Sequence, residues 1–263
     1  MAPMTDPPAD EGIFHYQYGD DVPAEVQKYW AQRDTIFSEY SRGIWMTNDA
    51  WFGITPEPVA NAISEHVSDG APKEKKIIID AFAGAGGNAI AFALSGRWEQ
   101  VFAIEKDPAV LKCAKHNAEI YGVEKKIWWY EGDCFEVLRT HLARTKDAII
   151  YASPPWGGPG YREDNVFNLK TMEPYNLDTI YTAFAKVTKD IVLYLPRTSN
   201  LNQLVKYTTE GKKLEVAHYC LKGASKAICV YFGDFTFGPK DDDETIDETA
   251  DGAAEGNGVS HLE

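Results

Sequence analysis

The chain has 263 residues, 44% hydrophobic and 25% charged, which excludes a wholly disordered sequence and leaves ample apolar material for a self-sufficient core. Its net charge of −14 sits at the ends: residues 1–25 carry six acids and no base, residues 240–263 nine acids and one base, and the body balances at 25 of each, so an RNA ligand would need locally clustered bases. No 18-residue apolar run predicts a membrane span, no basic-then-apolar start predicts secretion, and four scattered cysteines (Cys113, Cys134, Cys220, Cys229) argue against a zinc or disulfide framework and for a reducing compartment.

The Pro- and Asp-rich residues 1–12 predict disorder, whereas residues 13–23, with Phe14, Tyr16 and Tyr18, can dock on the body. From Pro23 to Tyr40, Val26, Tyr29/Trp30, Ile36/Phe37 and Tyr40 recur near a 3.6-residue period interrupted by Arg33, which predicts one amphipathic helix. An aromatic loop, Trp45–Phe52, follows. Thr55 before Pro56 and Glu57 reads as a cap with proline at the first helical position, opening a helix to about Val67.

Then the rhythm alternates. Strands are predicted at Lys76–Asp80, Val101–Glu105, Ile127–Tyr130, Ala148–Tyr151 and Ile191–Leu195. Helices are predicted between them, at about Asn88–Leu94, from the Asp107-Pro108 cap to Tyr121, Phe135–Leu142 and Thr179–Val187. Near-continuous apolar strands alternating with helices mean a parallel sheet covered on both faces. Leu214–Cys220 and Ala227–Phe232, with no helix between them, predict an antiparallel pair at its edge. The segment from Asp241 to Gly258 is too poor in large apolar groups to offset its ordering entropy. The organisation expected is an acidic N-terminus (1–23), a helical subdomain (24–70), the sheet domain (71–238) and a disordered acidic tail (239–263).

Ligands of such sheets bind beyond the carboxyl ends of the strands. The first strand runs into Asp80-Ala-Phe82-Ala-Gly84-Ala-Gly86-Gly87-Asn88, where glycines admit a close-lying ligand and a helix start offers free N–H groups. The spacing is not the dinucleotide GxGxxG pattern. Glu105, 25 positions after Asp80, can accept from both hydroxyls of a ribose. Asp133 can accept from an adenine amino group or cap the helix that follows. Cys134 beside it reads first as packing and second as pocket lining. The fourth strand end, Ser153-Pro154-Pro155-Trp156-Gly157-Gly158-Pro159, holds a rigid backbone, outward carbonyls and an aromatic, an arrangement suited to a flat substrate with an exocyclic amine.

Together these residues resemble the class I S-adenosylmethionine-dependent methyltransferases that modify amino groups, whose fourth motif is [D/N/S]-P-P-[Y/F/W]. Lys28–Arg33, Trp51–Glu57, Asp80–Asn88, Asn117–Gly122 and Ser153–Pro159 with Tyr161 are similar, more narrowly, to the trimethylguanosine synthase family, over about residues 26–235. Ala83, Ala85 and Glu105 depart conservatively from its pattern.

The resemblance implies a Rossmann-like seven-stranded, mostly parallel sheet with a small N-terminal helical subdomain. It implies S-adenosylmethionine as cofactor, without a metal, and two methyl transfers to the N2 amine of a 7-methylguanosine cap. Trp156 then stacks on the methylated guanine, and Ser153 and Pro154 orient its amine. Lys28, Tyr161 and Arg197 meet the cap phosphates. Phe37 and Thr55 close over the cofactor, which Asp80, Phe82, Gly84, Gly86, Asn88, Glu105, Asp133, Cys134 and Ser153 surround. The partners implied are capped small nuclear and nucleolar RNAs and small ribonucleoprotein proteins. The expected location is the nucleus, with the nucleolus foremost; the expected state is a monomer away from membranes. Tryptophan in the fourth motif also fits on physical grounds, because 7-methylguanine is cationic and an indole face attracts a cation. The competing readings are an N6-adenine-type methyltransferase, an inactive cap-binding module and, more distantly, a dinucleotide oxidoreductase.

Overall fold

The computed structural model describes residues 6–8, 11–158, 165–209, 211–221, 223–238 and 258–261. In chain order its elements are β1 (Ile13–Phe14), α1 (Gln27–Trp30), α2 (Arg33–Ile36), β2 (Met46–Thr47), α3 (Ala50–Gly53), α4 (Glu57–Gly70), β3 (Ile77–Asp80), α5 (Gly87–Leu94) and β4 (Gln100–Glu105). There follow α6 (Pro108–Ile120), β5 (Ile127–Glu131), α7 (Cys134–Thr140), β6 (Ala148–Ala152), α8 (Leu177–Phe184), β7 (Ile191–Pro196), β8 (Glu215–Leu221), β9 (Ala224–Phe232) and β10 (Gly258–His261).

The strands of the main sheet lie in the order β10-β8-β9-β7-β6-β3-β4-β5. β3 to β7 are parallel, while β8, β9 and β10 are antiparallel. Side chains alternate across it. Ile78, Val101, Ala103, Ile149, Tyr151 and Val192 face one core layer, under α4, α5 and α6. Ile79, Ile104, Ile150, Leu193 and Leu195 face the other, under α7 and α8. Double-sided burial explains why these strands read as unbroken apolar runs.

Three expectations are corrected. The helix foreseen over 23–40 is two short ones, because Gln32 (φ −106°, ψ 14°) leaves helical geometry. Its aromatic residues are held by residues 13–23 instead: the Trp30 Nε1–H and the Tyr40 hydroxyl both donate to the Tyr16 carbonyl at 3.0 Å. The aromatic loop contains β2, paired with β1, and α3. Of the tail foreseen as disordered (239–263), residues 239–257 and 262–263 lie outside the described residues, and Gly258–His261 forms β10, an eighth strand whose pairing occupies the open backbone edge of β8.

Buried Asn117 of α6 fastens the N-terminal subdomain to the sheet. Its side-chain amide donates to the carbonyls of Trp45 and Ala85, both at 3.0 Å, and its oxygen accepts from the Trp45 N–H at 2.8 Å. Glu57 makes a second tie, accepting from the Ser38 N–H at 2.6 Å, the Ser38 hydroxyl at 2.9 Å and the Tyr121 hydroxyl at 2.6 Å.

Candidate active site

A cavity of about 1320 Å³ opens above the carboxyl ends of β3, β4, β5, β6 and β7, roofed by α1, α3 and the segment leading into α4. Single small-molecule sites commonly measure roughly 300–1,000 Å³, so this space suits two ligands side by side.

One half is built on the first three strand ends. Gly84, at φ +53°, has open space where a Cβ would stand, so the loop leaves room for a ligand against its backbone. Its N–H donates to Glu105 Oε2 at 2.9 Å, and the Asp107 N–H to Oε1 at 2.8 Å. The Glu105 carboxylate is thus fixed at the cavity wall with lone pairs to spare for two hydroxyls. Asp133 caps α7: its Oδ1 accepts from the N–H groups of Phe135 at 3.0 Å and Glu136 at 3.3 Å. The same carboxylate still lines the cavity, so the cap and acceptor readings share one side chain. Cys134 lines it too, and burial beside Asp133 pushes its thiol well above the ordinary range.

Thr55 does not cap α4; the capping position is Pro56, and the buried Thr55 hydroxyl accepts from Asn88 Nδ2 at 3.0 Å. The subdomain presses closely there, since a Cβ on Gly87 would meet the Thr55 carbonyl at 3.3 Å. Three expected residues stay off the cavity wall. Asp80 is fully buried below the loop, where Oδ1 accepts from the Phe82 N–H at 3.3 Å and burial lifts its carboxyl to about 7. Gly86 faces α6, where an added Cβ would meet Ala114 at 3.4 Å. Phe37 packs behind, against Tyr121.

The other half is built around the fourth strand end. Pro154 is buried, Ser153 and Trp156 are half-buried, and all three line the cavity. The Trp156 ring lies 5.7 Å from that of Tyr194 on β7 and packs against both core layers while keeping a wall position. Lys28 and Arg197 line this half as exposed cations, Lys28 with its ammonium 4.8 Å from the Tyr29 ring centre. Tyr161 lies outside the described residues. Sequence reasoning missed Phe52, 44% exposed with its ring 5.4 Å from that of Tyr29, and also Tyr175, Leu221 at the end of β8, and Ala224, Ser225 and Lys226 at the start of β9. An aromatic loop between two helices was the available signal for Phe52. Tyr175 had none.

The donor set fits S-adenosylmethionine: an anchored carboxylate for a ribose, an acceptor 28 positions further on for an amino group, and an open glycine turn on the neighbouring strand end.

A sequence model of the RNA cap guanine-N2 methyltransferases matches residues 75–235. The chain is 36% identical over 213 residues to the trimethylguanosine synthase of Schizosaccharomyces pombe, covering 80% of this chain and 87% of that protein. It is 32% identical over 217 residues to the trimethylguanosine synthase of Saccharomyces cerevisiae, covering 80% and 68%. Among solved structures, human methyltransferase 10 domain containing protein aligns with a TM-score of 0.56 at 14% identity, over 80% of this chain and 99% of that one, a likeness of fold.

Proposed function

The chain belongs to the RNA cap guanine-N2 methyltransferase family, and from that premise we propose that it methylates a 7-methylguanosine cap twice at N2, yielding 2,2,7-trimethylguanosine. S-Adenosylmethionine is its methyl donor, supplying an electrophilic methyl group on a sulfonium. The observation that carries the reading is the Trp156 indole at the wall of the same cavity as the glycine turn, beside Ser153 and Pro154.

In this reading the indole face holds the cationic purine, an attraction of roughly 0.5–2 kcal/mol, larger where water is excluded. The Ser153 hydroxyl and the Pro154 carbonyl receive the amine hydrogens and aim its lone pair. Lys28 and Arg197 meet the triphosphate, with Tyr161 as a third candidate. Glu105 takes the ribose hydroxyls of the cofactor and Asp133 its adenine amine. Phe37 and Thr55 support the roof from outside the reacting atoms. Positioning and desolvation do the catalytic work. In this reading Glu105 and Asp133 are taken up by the cofactor and Asp107 caps α6, so the amine proton leaves to solvent. The substrates proposed are small nuclear and nucleolar RNAs, met in the nucleus and nucleolus together with their ribonucleoprotein proteins.

The test is mass spectrometry of cap dinucleotides incubated with enzyme and S-adenosylmethionine. The 7-methylated cap should gain first one and then two methyl groups, and the unmethylated cap none. Equal turnover of the unmethylated cap, or methylation of adenine, overturns the proposal.

A further inference from the structure

Asp133 has one unsatisfied direction, and a residue far along the chain controls it. Its Oδ1 already accepts two backbone N–H groups of α7, which fills that oxygen's two lone-pair sites. Oδ2 accepts from the Tyr175 hydroxyl at 2.8 Å. One lone pair of Oδ2 is left for a ligand, and its direction follows from where the phenol sits. Tyr175 is itself held: its ring lies 4.8 Å from that of Phe135, edge to face, and 6.2 Å from that of Phe82. All four side chains belong to the glycine-turn half of the molecule, and Tyr175, Phe82 and Asp133 line the cavity.

We propose that Tyr175 is a positioning residue for purine selection: it orients Asp133 so that the remaining lone pair accepts an exocyclic 6-amine, and it walls the slot with its ring. The inference rests on the cofactor assignment made above and deepens it. The hydrogen bond to Asp133 also raises the phenol to about 12, so Tyr175 keeps its proton, and remains a donor, at any ordinary assay pH. Because both carboxylate oxygens are engaged, rotation of Asp133 is blocked. A ligand that offers an acceptor at the 6-position meets a fixed lone pair and is rejected.

The variant is Tyr175→Phe, which keeps the ring contacts and removes only the hydroxyl. The probes are S-adenosylhomocysteine and S-inosylhomocysteine, in which a carbonyl replaces the 6-amine, measured by calorimetry on the full chain. The wild-type protein should prefer the adenosyl ligand. Tyr175→Phe should weaken that ligand by about tenfold, as expected for a hydrogen bond to a charged group, and leave the inosyl ligand within about twofold. Steady-state KM for S-adenosylmethionine should rise in step while kcat and KM for the cap dinucleotide hold.

If Tyr175 merely fastens its segment to α7, both ligands weaken equally and Tm falls; that result overturns the proposal, as does unchanged discrimination. A wild-type protein that binds neither ligand would overturn the cofactor assignment as well, so the two failures are distinguishable.

Discussion

The two halves of the cavity are made differently. On the glycine-turn side the acceptors that face the ligand are held: Glu105 by two backbone N–H groups, Asp133 by two more and a phenol, Thr55 by Asn88. On the Trp156 side the charged groups, Lys28 and Arg197, are long and exposed, Ser153 is half-buried, and the walls include aromatic side chains. Fixed donors and acceptors select one ligand and exclude analogues, because a mismatched ligand leaves buried polar groups unpaired. Rings and exposed cations recognise a charge type and a flat shape, and they tolerate what is attached beyond. That division suits an invariant cofactor beside the end of many different RNAs.

Removing the stacking face should break the comparison most sharply. Trp156→Ala is expected to lower kcat/KM for a 7-methylated cap dinucleotide by about 10²–10³-fold, the size of a central aromatic truncation. Binding of S-adenosylhomocysteine should change by less than about twofold, because Glu105 and Asp133 stand on other strand ends. Paired kinetics and calorimetry give both numbers. Loss of both affinities together would mean that the halves are one coupled unit.

The chain announces its strand ends more clearly than the contacts that fix them, for a physical reason. A parallel sheet places successive strand ends side by side, so Gly84, Glu105, Asp133 and Ser153 can be brought together from spacing alone. Only the partners that fix them stay hidden. Tyr175 reaches Asp133 across 42 positions, through a fold-dependent contact with no local periodicity to betray it. The N-terminal subdomain misleads in the opposite way: its apolar period is genuine, but Trp30 and Tyr40 spend their polar atoms on Tyr16, and the helix divides at Gln32. Asp80 at a strand end looks like a ligand contact from sequence, yet complete burial makes it part of the loop's foundation. The strand at Gly258–His261 is illegible because its neighbours in sequence are acidic and its pairing uses the backbone of β8.

The foundation of the held half gives a second, smaller effect, in stability. Burial raises the Asp80 carboxyl from 3.8 to about 7 against the pull of the Phe82 N–H, with Glu105 adding to the rise. Between those values the folded chain keeps a proton that the unfolded chain has lost. The contribution of Asp80 to stability therefore falls as pH climbs from about 4 to about 7 and levels off above. Asp80→Asn removes this dependence. The variant should match the wild type near pH 4 and exceed it at pH 8, by on the order of 2 kcal/mol after structural relaxation. Urea unfolding at pH 4, 6 and 8 checks the slope; parallel curves for the two proteins would show that Asp80 is not the titrating group.

The smallest effect belongs to the exposed cations, and it sharpens the contrast from the other side. Lys28 stands on α1 and Arg197 just past the end of β7, both open to water. Ionic contacts at such positions contribute little each and are screened within about 8–10 Å at ordinary ionic strength. Lys28→Ala and Arg197→Ala should each raise KM for a capped dinucleotide about three- to fivefold at low salt, with the difference shrinking as salt is added. With the nucleoside 7-methylguanosine, which lacks phosphates, both variants should behave as wild type. An equal loss on the nucleoside would place these side chains on the base, and the exposed half would then hold its ligand by fixed contacts as the buried half does.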